Sequence, residues 1–167
     1  ALAQQRGDAI LQALESDTGE SRSAALGEIA TEGSAVSALV GLFRASELVM
    51  MKDPAAASDV LAALIGQESI SGDYSDLALF KQLLLEGSGL DASARRSGFE
   101  QLSAAGNPLR LLAQEQLALL DLQENDETAA VKRLSDLLQD AEMTQNLRQR
   151  LGQLMVALGQ DPNALDG

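Results

Sequence analysis

The chain has 167 residues, with 12 basic and 25 acidic side chains, a formal charge of −13, and no cysteine, histidine or tryptophan. The lack of cysteine excludes disulfides and thiolate catalysis, and the lack of histidine removes the commonest general base and metal ligand. The acidic charge repels phosphate, so nucleic acid is not an expected partner, and no apolar run reaches the roughly 18 residues of a membrane span. Alanine and leucine dominate while valine, isoleucine and threonine are scarce, which predicts an all-α fold.

Helix-ending and helix-capping residues recur at short intervals along the chain. At Gly106-Asn107-Pro108, the glycine suits a left-handed helix end, the asparagine can cap the next helix, and the proline fits its first position. Asp53-Pro54 repeats the cap-then-proline signal. The predicted helices are 2–15, 21–32, 35–51, 54–66, 74–86, 92–104, 108–123, 127–140 and 145–158. The connecting loops are short, so successive helices are expected to be antiparallel neighbours.

Three of these helices share one residue pattern. Each opens with an aspartate, and bulky apolar residues follow eight and eleven positions later. The aligned sets are Asp53, Leu61 and Leu64; Asp91, Phe99 and Leu102; and Asp126, Leu134 and Leu137. The apolar helices before them begin at steps of roughly 34–40 residues, a period typical of helical-hairpin repeats. A single hairpin cannot bury its own apolar face, so a stack of neighbouring hairpins is predicted.

The last helices differ in how much of their surface is apolar. Helix 108–123 is apolar nearly all round, which predicts that other helices pack on both of its sides. We interpret its polar strip, Arg110, Gln114 and Asp121, as a solvent face. Helix 145–158 has one apolar stripe and is predicted to be a terminal capping helix.

The hairpin length and the second-helix pattern resemble tetratricopeptide repeats. Ala57 and Ala130 lie four residues before Leu61 and Leu134, as the small and bulky positions of that motif do. The whole arrangement, most clearly residues 106–138, resembles the tetratricopeptide-like domain of the YfgM-type family of ancillary Sec translocon subunits. The resemblance implies about four antiparallel helical hairpins plus a C-terminal capping helix. We place this helical repeat domain over residues 1–158 and a disordered tail over 159–167.

The same resemblance implies a location and partners. Proteins of that family have a short N-terminal segment, one membrane-spanning helix and then this domain in the bacterial periplasm. The resemblance therefore implies a role at the periplasmic side of the inner membrane beside the translocon, with the translocon or periplasmic chaperones as partners. The sequence opens at Ala1 without a methionine, and we expect a membrane anchor to lie upstream.

The acidic clusters do not indicate an enzyme. Asp121, Glu124, Asp126 and Glu127, and then Asp136, Asp140 and Glu142, are interpreted as helix caps and solvated faces. A calcium loop would need a central glycine among alternating ligands, which these segments lack. We expect no catalytic residue, no metal and no cofactor.

An apolar face on the first helices of the hairpins is the candidate site. When those helices are aligned by their equivalent positions, they predict an inner face. It is formed by Leu39, Leu42, Val49, Leu77, Phe80, Leu84, Leu112, Leu119 and Leu122. One hypothesis is a groove that binds a segment of a partner protein. The alternative is core, closed by helix 2–15 or by a second copy of the chain. The sequence therefore predicts a protein–protein interaction scaffold, with an architectural, self-associating module without an open groove as the alternative.

Overall fold

The computed structural model describes residues 2–29, 34–86 and 89–161. Within these ranges the chain forms nine α-helices and no β-strand, so the all-α prediction is confirmed. The helices are α1 Leu2–Leu14, α2 Gly19–Gly27, α3 Ser34–Met50, α4 Pro54–Ile65, α5 Gly72–Leu84, α6 Ala92–Leu102, α7 Arg110–Gln123, α8 Glu127–Leu138 and α9 Gln145–Ala157. Their packing is consistent with a stack of helical hairpins.

The three aspartates cap α4, α6 and α8 as predicted. The backbone N–H of Ala56 donates to Oδ1 of Asp53 at 3.0 Å, that of Ala94 to Oδ1 of Asp91 at 2.7 Å, and that of Ala129 to Oδ1 of Asp126 at 3.0 Å. Each cap satisfies a donor at the helix start that has no partner within the helix. The sequence therefore fixes these three helix starts locally.

Three helix starts differ from the prediction by two residues. α5 begins at Gly72, where residue 74 was predicted. α2 covers Gly19–Gly27, where 21–32 was predicted, because Thr18 and Ser21 form a reciprocal capping box that starts the helix earlier. Residues 30–32 of that prediction lie outside the described residues. α7 begins at Arg110 rather than at Pro108, although Oδ1 of Asn107 does cap the turn by accepting from the N–H of Leu109 at 2.8 Å.

The helices belong to two compact units, residues 1–90 with α1–α5 and residues 91–167 with α6–α9. One repeat domain over 1–158 stays a prediction. α9 ends at Ala157, and residues 162–167 of the predicted tail lie outside the described residues.

The first unit has its main core among α3, α4 and α5. Buried members are Ala38, Leu42, Ala45, Ala57, Leu61, Leu64, Ile70 and Ala78. A smaller cluster of Ala13, Leu26 and Val40 joins α1, α2 and α3. Small alanines at the helix crossings let the backbones approach, and the predicted stripe residues Leu61 and Leu64 fill the space between them.

The second unit has its core around α7, α8 and α9. Its buried members are Ala118, Leu134, Leu137, Leu138, Leu147, Leu151 and Met155. Phe99 and Leu102 of α6 are also fully buried, so the predicted stripe is buried in all three aligned helices. α7 packs against α6 and α8 and shares the cluster with α9 through Ala118, which confirms that helices pack on both of its sides.

Gly41 of α3 lies close against the side chain of Leu64 on α4. A β-carbon built on it would lie 2.7 Å from Cδ2 and 3.0 Å from Cγ of the buried Leu64. We therefore expect Gly41→Ala to lower the free energy of unfolding by about 1–2 kcal/mol, because overpacking outweighs the gain in helix propensity. Urea denaturation followed by circular dichroism measures the change.

Gly7 in α1 is the matched control, since a β-carbon there meets nothing within 4 Å. Gly7→Ala is expected to raise the free energy of unfolding by up to about 1 kcal/mol through helix propensity alone. A stabilising Gly41→Ala would contradict the tight α3–α4 packing.

Candidate functional site

α3 carries an apolar stripe that the other described residues leave partly uncovered. Leu39 is 38% exposed, Phe43 39%, Val49 43% and Met50 71%. Leu39, Phe43 and Met50 follow one another at four and seven residues, which places them on one side of the helix. Contiguous exposed apolar side chains are uncommon on a monomer and mark interaction surfaces. We call Leu39, Phe43, Val49 and Met50 the α3 stripe.

A groove lies beside the α3 stripe, within the first unit. α3 and α5 form its sides and α4 its floor, and its volume is about 250 Å³. The lining residues are Ala45, Ser46 and Val49 of α3, Leu61 of α4, and Lys81, Leu84 and Leu85 at the end of α5. Ala45 and Ser46 are short, so the space between the two helices stays open above Leu61. We call it the α3–α5 groove.

The predicted inner-face residues of the first unit fall into two groups. Leu39, Val49 and Leu84 are exposed, and Val49 and Leu84 line the same groove. Leu42 is buried in the core, and Leu77 packs against that core while partly buried. Phe80 is half-buried. One edge of the predicted face, with Leu42 and Leu77, therefore belongs to the core. The other edge, with Val49 and Leu84, lines the accessible groove.

The predicted residues of the second unit, Leu112, Leu119 and Leu122, are all half-buried on α7. Leu112 lines a separate cavity of about 600 Å³ between the start of α7 and the start of α9, together with Arg110 and Arg150. The structure thus places these three leucines on α7 without an exposed stripe like that of α3.

The charge of the groove comes from Lys81. It is the one ionisable side chain among the described residues that line the groove. The only acid of α3, Glu47, is buried and faces α2, where Nη2 of Arg22 lies 2.9 Å from its Oε2. That oxygen accepts no hydrogen bond of good geometry from the described residues. The exposed side of α3 therefore carries no carboxylate.

Sequence reasoning missed Phe43 and Lys81 as members of this surface. Two signals were present. Phe43 lies four residues after Leu39, and Lys81 lies between Leu77 and Leu84 at helical spacing. An alignment that uses only the equivalent apolar positions of each hairpin does not include Phe43 or Lys81.

The polar strip of α7 is not the solvent face that was predicted. Asp121 is only 3% exposed. Its Oδ1 accepts from Nη2 of Arg96 on α6 at 2.8 Å, and its Oδ2 accepts from Nε of Arg133 on α8 at 3.0 Å. This hydrogen bonding raises the pKa of Arg96 above its ordinary value. Asp121 thus joins three helices, and the interpretation of it as a solvated acid was wrong.

Two further arginines form ion pairs that hold α7 to the end of the second unit. Arg110 donates to Asp140 at 2.8 and 3.1 Å and to Glu142 at 2.7 Å. These bonds raise the pKa of Arg110 and hold that of Asp140 below its ordinary value. Arg150 of α9 donates two hydrogen bonds to Glu115, which is buried. These charged groups are paired for structure and leave the α3–α5 groove as the candidate site.

Across residues 2–29, 34–86 and 89–161, no three acidic side chains are grouped so that they could hold a metal ion. None of the helices in those ranges is both long and apolar enough to cross a bilayer.

Comparison of the chain with protein-family models, curated proteins and solved structures finds no match in any of the three.

Proposed function

We propose that this chain is a protein–protein interaction scaffold that binds a segment of a partner along the α3 stripe and in the α3–α5 groove. The observation that carries the proposal is the uncovered apolar surface of α3, with Val49 and Met50 among its most exposed members. Burying such a surface against a partner is favourable by roughly 25 cal/mol per Å² of apolar area. A strongly acidic chain that keeps an apolar, acid-free helix face in water has a surface suited to docking.

The resemblance supports a more specific form of this proposal. The domain would be anchored at the periplasmic side of a bacterial inner membrane, with the secretion translocon or periplasmic chaperones as its partners. The groove is where such a partner would dock.

The second candidate function is an architectural, self-associating module, which the same uncovered stripe favours. In that case a second copy of the chain would cover Leu39, Phe43 and Met50. Size-exclusion chromatography with light scattering separates the two functions. A stable wild-type dimer that becomes monomeric in the variant Val49→Asp/Leu84→Asp would favour self-association.

The same double variant tests the scaffold. Val49 and Leu84 are 43% and 41% exposed, so we expect the double variant to stay folded, with a free energy of unfolding lower by about 1–2 kcal/mol. Each substitution removes a partly buried apolar side chain and puts a negative charge in the last turn of a helix. A displayed library of 20-residue peptides is selected on the wild-type chain. The selected peptides are expected to lose at least about tenfold in affinity for the double variant, because a charge in the groove must be desolvated. Fluorescence anisotropy measures the affinities.

Leu11→Asp provides the control, since Leu11 is also a well-exposed leucine but belongs to α1. Its affinity for the selected peptides should match that of the wild type. The scaffold proposal fails if every selected peptide binds the double variant as tightly as the wild type. A collapse of the melting temperature in the double variant would instead assign Val49 and Leu84 to the core.

A further inference from the structure

The distribution of charge in the first unit distinguishes the α3 stripe from the surface as a whole. The chain carries 25 acidic side chains, yet the 17 residues of α3 contain a single acid, Glu47, which is buried against α2. Arg44 is the other charge of α3 and is exposed. An acid-free surface is thus maintained on a chain whose net charge is −13.

Lys81 places a positive charge on the α5 side of the α3–α5 groove. It lies in the last turn of α5, where it complements the helix dipole. Its other neighbours in the groove lining are apolar side chains and Ser46. Among the described residues, no carboxylate forms an ion pair with Lys81. A partner carboxylate that reaches the groove would therefore meet a cation with no competing acid in the lining.

The length and shape of the surface indicate a helical occupant. The α3 stripe runs from Leu39 to Met50, which is about 16 Å at about 1.5 Å per residue. That span matches three turns of a second helix, and a helix packs well into the groove between two others. At physiological salt the repulsion between one acidic side chain and the net charge of the chain is largely screened beyond about 8 Å, whereas the direct contact with Lys81 is attractive and little screened.

We propose that the occupant is an amphipathic helix of another protein, about three turns long, whose apolar stripe packs on the α3 stripe and whose Asp or Glu side chain pairs with Nζ of Lys81. This inference depends on the proposed function, because it names the partner segment of the same groove. A second copy of the chain fits less well, since two copies with a net charge of −13 each repel one another.

Synthetic peptides of 16 residues test the inference directly. All share one leucine stripe at helical spacing, and each carries Glu, Gln or Lys at one of four positions beside the stripe. Binding to the wild-type chain and to Lys81→Glu is measured by fluorescence anisotropy at low and physiological salt. We expect the best Glu peptide to bind at least about fivefold tighter than its Lys counterpart, and Lys81→Glu to reverse this order.

Lys132→Glu is the matched control, because it makes the same change of charge at an exposed lysine of the second unit. It should leave the preference for Glu unchanged.

Equal binding of the Glu, Gln and Lys peptides, or a preference that Lys81→Glu does not alter, overturns the pairing with Lys81. If library-selected ligands depend on Val49 and Leu84 while no helical peptide binds, the helical occupant is wrong and the scaffold stands. A wild-type dimer that covers the α3 stripe also overturns the proposed occupant, because a second copy of the chain then occupies the surface.

Discussion

Replacement of Phe99 by alanine is expected to lower the free energy of unfolding by about 3–5 kcal/mol. Phe99 lies in α6 with no exposed surface, at the position that Leu61 and Leu134 occupy in α4 and α8. The substitution removes the transfer free energy of an aromatic ring and leaves a cavity that the surrounding helices can close only in part. Urea denaturation monitored by circular dichroism gives the loss.

Phe43→Ala is the matched control for this experiment. Phe43 is also a helical phenylalanine, but it belongs to the α3 stripe and is 39% exposed. We expect its substitution to lower the free energy of unfolding by less than about 1 kcal/mol, because much of its ring is already in water. Equal losses for Phe99→Ala and Phe43→Ala would show that α3 is covered like α6, which would remove the basis of the groove.

Replacement of Asp121 by alanine is expected to lower the free energy of unfolding by about 2–3 kcal/mol. The change leaves Arg96 and Arg133 without the buried carboxylate that links α6, α7 and α8. The loss is smaller than the roughly 3–5 kcal/mol of a fully buried broken pair, because the side chains of Arg96 and Arg133 are 25% and 32% exposed and can recover some hydration. The midpoint of urea denaturation reports it.

Asp136→Ala serves as the control, since Asp136 pairs with Lys132 one helical turn away and both side chains are well exposed. Exposed pairs of this kind contribute about 0.5 kcal/mol or less. Should Asp121→Ala prove as mild as Asp136→Ala, the hydrogen bonds that join α6, α7 and α8 through Asp121 contribute little to stability.

Helix positions followed from the sequence because the signals that set them are local. Asp53, Asp91 and Asp126 each cap a helix through a backbone N–H three residues away. Gly106 has the left-handed backbone expected of a helix end, with φ +85°. The early start of α2 at Gly19 was missed because the capping box there uses Ser21 in place of the usual Glu or Gln.

The candidate site could be predicted only in part. Leu39, Val49 and Leu84 are exposed, whereas Leu42 of the same predicted face is in the core. Periodicity identifies apolar stripes but not which of two adjacent stripes a neighbouring helix covers. The alignment of the hairpins places Val49 and Leu84 on one face, and both line the groove. An alignment built on apolar positions alone cannot identify Lys81.

By itself, the sequence determined the all-α fold, the starts of the capped helices and the burial of the aligned bulky residues, because caps and i, i+3 spacing act within one helix. The tertiary structure decided which apolar face stays open and which acids are buried. α4 and α5 leave the α3 stripe exposed, and α6 and α8 bring Arg96 and Arg133 to Asp121. Both outcomes depend on the side chains that distant segments place nearby, and no local pattern in α3 or α7 encodes those neighbours.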